Sequence, residues 1–384
     1  MSDRNLDVAV VGAGIMGSAL ALELATSGLK VLLLDSVAVC AGSSSRSSGG
    51  VRHQFERAAN IELASRTIQR LESFEEDFGV DPSFRQIGYL FLSSNERTLE
   101  VMRRAVDLQR SLGVPSHILG REDVGELVAG IVTDDLVGAS YCPKDGFIDP
   151  PTVTQAFVAA ARARGATIMP KSGLVSVRTA GDRAVEIETA TGERFGIGIL
   201  ANTAGVWAPR VAAMYGATLP IQPWRSQTFM VTDTPDVGPR TPMVIDFDNG
   251  RAYFHPEGPG LLVGMDNEGM AEPEWEPQLD WSKFPDIAEA ISRRLPAIAD
   301  GSAASGWAGF LELTPDEDPI VGWTHLENVY TAAGFSGHGL SIAPGLAEQV
   351  GREIQGEPCT VDISSYRLER FARGARPAEG LSMR

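Results

Sequence analysis

The sequence predicts an α/β protein in which a doubly wound, parallel-sheet domain is interrupted by an inserted α+β domain of antiparallel strands. Three observations predict it. The chain opens with a strand, a glycine turn, a helix and a second strand between Asp7 and Asp35. It closes in the same way, with a strand at Val329–Ala333, a glycine-rich turn at Gly334–Gly339 and a helix from about Leu340 to Ile354. Between these ends the text turns often and alternates with strand period, most densely from Pro220 to Gly264. A chain of 384 residues suits two interleaved domains. We read 1–85, 140–215 and 315–375 as the discontinuous parallel-sheet domain, 86–139 and 216–314 as the inserted domain, and 376–384 as a polar tail.

Composition narrows the class. The formal charge of -17 is spread without an acidic run, which favours solubility and argues against nucleic acid as a partner. No apolar stretch approaches the ~18 residues a membrane span needs. The first residues lead straight into a strand pattern, so no signal peptide is expected. Cys40, Cys142 and Cys359 lie far apart with no CxxC, which fits a reducing cytoplasm. The five histidines show no metal-ligand spacing, so no metal is expected.

The first strand, Asp7–Val11, runs into Gly12-Ala13-Gly14-Ile15-Met16-Gly17, a GxGxxG between strand and helix. Gly12 makes the tight turn, Gly14 lets backbone approach a pyrophosphate, and Gly17 lets helix pack on strand. The helix, read as Ser18–Ser27, then offers free N–H groups to phosphate, alongside Ile15 and Met16. The second strand, Lys30–Leu34, ends at Asp35 and Ser36, where a carboxylate suits the ribose hydroxyls of an adenosine. The competing reading is an ordinary glycine turn. Next comes Gly42-Ser43-Ser44-Ser45-Arg46-Ser47-Ser48-Gly49-Gly50, whose small residues allow close approach to a flat ring or a phosphate. Its competing reading is a solvated serine–glycine loop.

Helical spacing continues from Ala59 to Phe78, and Asn95 caps a further helix. A turn at Asp145–Asp149 precedes Pro150 and Pro151, which open a helix to about Arg164. Leu174–Val177, Ala184–Glu188 and Phe195–Leu200 form a β-meander. Thr228–Thr232 and Leu261–Val263 read as strands and Asp286–Leu295 as a helix. Strand–glycine turn–helix at both ends suits a Rossmann-type domain that receives a large, two-ended cofactor such as FAD.

The sequence resembles the D-amino acid oxidase superfamily, in the branch of sarcosine oxidase, glycine oxidase and dimethylglycine dehydrogenase. The resemblance is carried by the GxGxxG with Asp35, the GSSSRSSGGVRH loop, Asn202–Trp207, Thr314–Gly322 and Ala333–Gly339, in order from about residue 5 to 356. It implies that the 12–17 turn and Asp35 hold the ADP half, and that Ser43 to Gly50 line the pyrophosphate, ribityl chain and ring edge. The backbone at Val175 would meet the adenine. Ala204, Gly205 and Trp207 would close over the cofactor. Gly334, Phe335, Ser336, Gly337, His338, Gly339 and Leu340 would follow the pyrimidine edge, where a helix N-terminus favours the charge of reduced flavin. Where sarcosine oxidase carries its flavin-linking cysteine this chain has Gly309, so FAD is expected to be non-covalent. The two lysine positions and the active-site histidine position of sarcosine oxidase fall at Leu262, Ser341 and Asp266. The chain is therefore not expected to be a sarcosine oxidase.

On the substrate side, Arg52-His53 matches a pair whose arginine grips a carboxylate, and a surface ion pair is the alternative for Arg52. His53 is read chiefly as a local packing group. Tyr253 and His255 alternate with Phe254, so they share one face of a strand that floors the pocket, against a reading as buried, satisfied side chains. Arg225 is a further pocket candidate, and Trp307 is read as core. The implied activity is oxidation of the C–N bond of an amino acid or a secondary or tertiary amine, with oxygen or a redox partner protein as acceptor. Two alternatives stand beside it. One is a 2-hydroxy acid dehydrogenase using His255 as base; the other is a flavoprotein subunit or assembly factor with little turnover.

Overall fold

The computed structural model describes residues 5–234, 237–238, 240–266, 269–374 and 380–381. Its first sheet is centred on Asn5–Val11, flanked in parallel by Val31–Leu34 and Arg194–Asn202. Thr167–Met169 extends it in parallel on one side; Val329–Ala333, then antiparallel Ile320–Trp323, extend it on the other. Val8–Val11 and Val31–Leu34 are buried throughout, as strands covered on both faces must be. One face is covered by the helices Ile15–Thr26, Ala58–Glu72, Pro150–Ala163 and Gly339–Ile354. The other is covered by the helix Ala208–Ala213 and the meander Leu174–Ala180/Arg183–Thr189, which continues from Arg194–Asn202.

The closing helix carries Pro344 in its interior. Gly345 next to it has no room for a side chain, because the backbone of Leu63 lies against it. Its N–H bonds Thr67 Oγ1 at 3.0 Å instead. This close crossing fixes the helix whose first turn reaches the site.

The second sheet runs in the order Ser302–Leu313, Gln222–Thr232, Gly260–Gly264, Ala252–Glu257, Met243–Asp246, Tyr89–Ser93, Gly138–Cys142 and His117–Leu119. Only the Met243–Asp246/Tyr89–Ser93 pairing is parallel; the other described pairings are antiparallel. Alternation splits its faces. Leu90, Val244, Phe254 and Val263 pack with Ile287 and Ile291 of the helix Phe284–Arg294. Tyr89, Phe91, Met243, Ile245 and Tyr253 occupy the opposite face.

Four sequence expectations shift. Gly138–Cys142 belongs wholly to the second sheet, so the boundary read between 139 and 140 cuts a strand. The helix read from Ala59 to Phe78 breaks at Ser73, leaving Phe74–Phe78 as a separate short helix ended by Gly79 in the left-handed region. The first helix begins at Ile15, because the end of the glycine turn is already helical. In the tail, Leu381 is buried with Tyr89, Phe91 and Met102, and its N–H bonds Glu56 Oε1 at 2.7 Å. The rest of 376–384, apart from Gly380, lies outside the described residues. Asn95 does cap its helix, accepting from the Arg97 N–H at 2.8 Å.

Candidate functional site

The carboxyl ends of the parallel strands face the second sheet across a cavity of about 420 Å³. At one end the chain leaves Val11 with Gly12 at φ +103, where a Cβ would sit 2.6 Å from the Thr203 carbonyl oxygen. Gly14 borders Ser44, whose hydroxyl accepts from the Ile15 N–H at 3.0 Å. Gly12, Gly14, Ile15 and Met16 line the cavity. Gly17 does not; it lies where a Cβ would overlap the Gly12 carbonyl oxygen, so its work is helix–turn packing. Asp35 accepts N–H bonds from Ala13 at 2.9 Å, Val37 at 2.9 Å and Ala38 at 3.2 Å. Burial pushes its carboxyl above the usual range, opposed by these three bonds. Ser36 lines the cavity beside Gly173 and Leu174. At Val175 the side chain is exposed, and Gly173 and Leu174 just before it border the cavity.

The serine–glycine loop is ordered around a short 3-10 turn, Ser43–Arg46. Ser43 Oγ donates to the Phe310 carbonyl at 2.6 Å, and Arg46 donates to the carbonyls of Ala41 and Trp275 at 2.5 and 2.6 Å. The loop is thereby tied to the second domain rather than left in solvent. Gly42, Ser43, Ser44, Arg46, Ser48 and Gly50 line the cavity. Ser45 and Gly49 stand behind it: Ser45 closes the turn onto the Gly42 carbonyl, and Gly49 at φ +78 abuts the Ile148 carbonyl.

The facing wall is made by Ala204, Gly205 and Trp207, with Trp207 stacked on Trp275 at 3.7 Å. Phe335, Gly337, His338, Gly339 and Leu340 continue it, while Gly334 and Ser336 are buried behind. Two buried nitrogens of wall residues, Trp207 Nε1 and His338 Nε2, have no hydrogen-bond partner. Burial, with the nearby charges of Arg52 and Arg57, holds the His338 imidazole well below its usual range and therefore neutral.

Arg52 is buried and reaches the cavity wall. Its guanidinium lies 4.2 Å from the Phe55 ring centroid and 5.4 Å from that of Phe91, and it donates to the Gln54 carbonyl. The Arg52 N–H is held by Ser341 Oγ at 3.1 Å. Tyr253 lines the cavity, its hydroxyl 2.9 Å from Thr228 Oγ1 and its ring lying across Gly264, where any Cβ would collide with it. Burial pushes the Tyr253 and Tyr89 phenols up, so both stay protonated.

Two site candidates are not on the wall. His53 is buried against Asp145, with Nδ1 at 2.7 Å and its backbone N–H at 2.8 Å from Oδ1, and Cys142 Sγ at 4.0 Å. His255 shares the Tyr253 face but lies farther along, against Phe147 at 4.3 Å, with Nδ1 3.0 Å from the Pro256 carbonyl. Burial pushes its imidazole down to about 4. The strand runs beneath the antiparallel pair of short strands Gly50–Val51 and Gly146–Phe147 there, whose Phe147 covers His255 and leaves Tyr253 open. Arg225 is likewise off the wall, bonded to the Gln278 carbonyl. Trp307 is half-buried and donates to the Arg46 carbonyl at 3.0 Å, outside the core clusters.

Sequence reasoning missed Tyr89, Thr228, Arg251, Trp275 and Glu312, all on the wall. Alternation from Tyr253 does point to Arg251; the others depend on strand pairing and loop docking. Glu312 Oε2 accepts the Gly334 N–H at 3.0 Å, and its carbonyl accepts the Ser336 N–H at 3.2 Å, so it anchors the glycine turn. Burial pushes its carboxyl up to about 7, against the pull of the Gly334 and Phe335 N–H groups. Between the ordinary 4.5 and about 7, the folded protein holds a proton that the unfolded chain has released. Stability of the apo-protein should therefore fall as pH rises through that window, by on the order of 3 kcal/mol. Chemical denaturation from about pH 5 to about pH 8 should show wild type losing stability relative to Glu312→Gln. Parallel profiles would contradict the buried-carboxyl account.

Comparison with known proteins follows the same outline. The family described as FAD dependent oxidoreductase (DAO) matches residues 7–352. Mitochondrial sarcosine dehydrogenase of Mus musculus is 28% identical over 95% of this chain and 41% of its own length. The chain thus spans about two fifths of the sarcosine dehydrogenases it matches. Glycine oxidase of Geobacillus kaustophilus is 23% identical, over 95% of this chain and 97% of that protein. The crystal structure of L-proline dehydrogenase from P. horikoshii superposes with a TM-score of 0.89 at 30% identity, covering 97% of this chain and 99% of that one.

Proposed function

The chain belongs to the DAO family of FAD-dependent oxidoreductases, and we propose that it oxidises the C–N bond of a small amine or amino acid bearing a carboxylate. The observation that carries this reading is one cavity bounded by a dinucleotide turn at one end and by Arg52 and the hydroxyls of Tyr89, Tyr253 and Thr228 at the other.

The cavity fits FAD. Gly12, Gly14 and the start of the helix Ile15–Thr26, whose glycine N-cap has no side chain, leave room for a pyrophosphate at a helix N-terminus. Trp207 Nε1 and His338 Nε2 are buried on its wall in want of partners. Arg46 and Arg210 also reach the wall, a cationic contribution in a chain of charge -17. FAD, when bound, supplies a two-electron hydride acceptor, so that the carbon beside nitrogen becomes an imine for water to hydrolyse.

The residues do the rest by position. Arg52 forks onto the substrate carboxylate. Tyr253, fixed by Thr228, and Tyr89 remain neutral and orient the amine end without taking its proton. The first turn of the helix Gly339–Ile354 presents N–H groups at the wall, favouring negative charge nearby. The hydroxy-acid reading is weaker, because an alcohol needs a base and His255 is both covered and poorly basic.

We expect non-covalent FAD. Gly309 abuts Arg46, and Cys40 lies off the cavity wall with its thiol pushed up to about 11 by burial. Acid precipitation should leave the yellow cofactor in the supernatant; colour in the pellet would contradict this. The deciding experiment is anaerobic mixing of the holoprotein with amines, amino acids and 2-hydroxy acids. Loss of absorbance near ~450 nm reports hydride transfer whatever the later acceptor. Bleaching by amines alone supports the reading. Bleaching by hydroxy acids alone overturns it, and no bleaching by any of them favours a subunit or assembly role. Re-admitting oxygen, or a dye acceptor, then separates direct use of oxygen from a redox partner protein. Three free cysteines are consistent with a cytoplasmic setting, which completes the proposal. Among the described residues, no helix is long and apolar enough to cross a membrane.

A further inference from the structure

The floor of the cavity carries a second guanidinium. Arg251 immediately precedes the strand Ala252–Glu257 that carries Tyr253, and lines the cavity with it. Its backbone is in the left-handed region at φ +52, an uncommon conformation for a long side chain and one that costs energy unless the surroundings enforce it. Asp266 meets Nη1 at 3.2 Å, and the Asp266 N–H is itself fixed to the Gly250 carbonyl at 3.1 Å. The side chain is 29% exposed, yet its Nε is buried and makes no hydrogen bond. One edge of the guanidinium is thus committed to Asp266, while the Nε edge, the one that forks side-on to a carboxylate, is not.

Position matters as much as chemistry. Arg52 stands over Phe91, and Phe91, Ile245 and Tyr253 are register neighbours across adjacent strands. Arg251 sits two residues before Tyr253, just outside the strand that carries it. The two arginines are therefore anchored on the order of 10 Å apart. Apolar Ile245, Met243 and Met265 line the cavity as well. Cation, aliphatic surface, cation is the complement of a chain molecule with an acid at each end.

We propose that Arg251, steadied by Asp266, is a second anion-recognition point, so that the site takes an amino acid or N-substituted amino acid carrying a distal second carboxylate. This rests on the reading that Arg52 takes the first carboxylate. Asp266 limits the affinity of the pair for simple anions, because it already neutralises the guanidinium. A ligand gains from the second point only when its first carboxylate has placed the distal one within reach.

The test uses ligands that cannot be oxidised. Straight-chain dicarboxylates of five and six carbons, and monocarboxylates of the same lengths, are titrated into the holoprotein, and perturbation of the flavin spectrum reports binding. Wild type should bind each dicarboxylate at least tenfold more tightly than its monocarboxylate partner. Arg251→Asn, a residue that tolerates the left-handed backbone, should erase that preference and leave monocarboxylate binding within about twofold. Arg52→Ala should weaken both classes. Equal binding of the two classes by wild type, or a preference that survives Arg251→Asn, overturns the second point while leaving the Arg52 reading intact. Absence of any perturbation by either class overturns the Arg52 reading and this proposal with it.

Discussion

Gly17→Ala should yield a folded protein purified without its yellow cofactor, with affinity for FAD reduced by at least about 100-fold, some 2.7 kcal/mol. The added Cβ would overlap the Gly12 carbonyl oxygen and lie 2.6 Å from Thr203 Oγ1. Neither neighbour can give way cheaply. Gly12 is fixed at φ +103, and Thr203 Oγ1 bonds the carbonyls of Val11 at 2.9 Å and Gly12 at 3.2 Å. The helix must therefore back away from the turn, taking the N–H groups of Ile15 and Met16 with it. Gly14→Ala is the informative companion, since its Cβ would meet only the Ser44 hydroxyl at 3.2 Å. A rotating side chain can yield, so the loss there should be nearer tenfold. Flavin-to-protein absorbance and titration of the apo-protein with FAD measure both losses, and thermal melting reports the fold. Full flavin occupancy in Gly17→Ala would mean that the turn is not the pyrophosphate cradle.

What could be read from the sequence follows from how local each cause is. The dinucleotide turn was legible because each glycine answers to a constraint a few residues away: φ at Gly12, closeness at Gly14, packing at Gly17. Asp35 was legible for the same reason, as the end of a strand of known direction. The 42–50 loop was legible as a motif but not as a wall, since which residues face the cavity depends on the turn in which Ser45 folds back onto the Gly42 carbonyl and on Ile148, from far along the chain, abutting Gly49. His255 shows a limit. Its face was right, but whether that face is open or covered depends on the pairing of two short strands from distant parts of the chain. Glu312 and Trp275 had no local signature at all: one is defined by the turn it accepts N–H bonds from, the other by the Trp207 ring it stacks upon.

Arg52→Ala should cost roughly 2–4 kcal/mol of productive binding for a carboxylate-bearing substrate, about 30- to 1000-fold in kcat/KM or in the rate constant for anaerobic flavin reduction per substrate concentration. The size of the effect comes from burial. A buried guanidinium stacked over Phe55 and donating to the Gln54 carbonyl, on a backbone whose N–H is fixed by Ser341, meets a carboxylate with little water between them and little side-chain entropy left to lose. Ser341 stands where the resemblance to sarcosine oxidase places a lysine, so the first carboxylate relies on Arg52 itself. Arg52→Lys should also be impaired, because an ammonium keeps the charge and loses the fork. The neutral analogue, a methyl ester or the simple amine, should lose much less in either variant. That contrast separates recognition from collapse of the site: removing a buried arginine also removes its stacking on Phe55, and such damage would fall on acid and ester alike. Melting of each holoprotein, and its flavin content, should therefore stay close to wild type while the acid's rate constant falls. Equal losses on acid and ester would assign Arg52 to holding the loop or the cofactor. No loss on either would return it to packing, with the carboxylate read elsewhere on the wall.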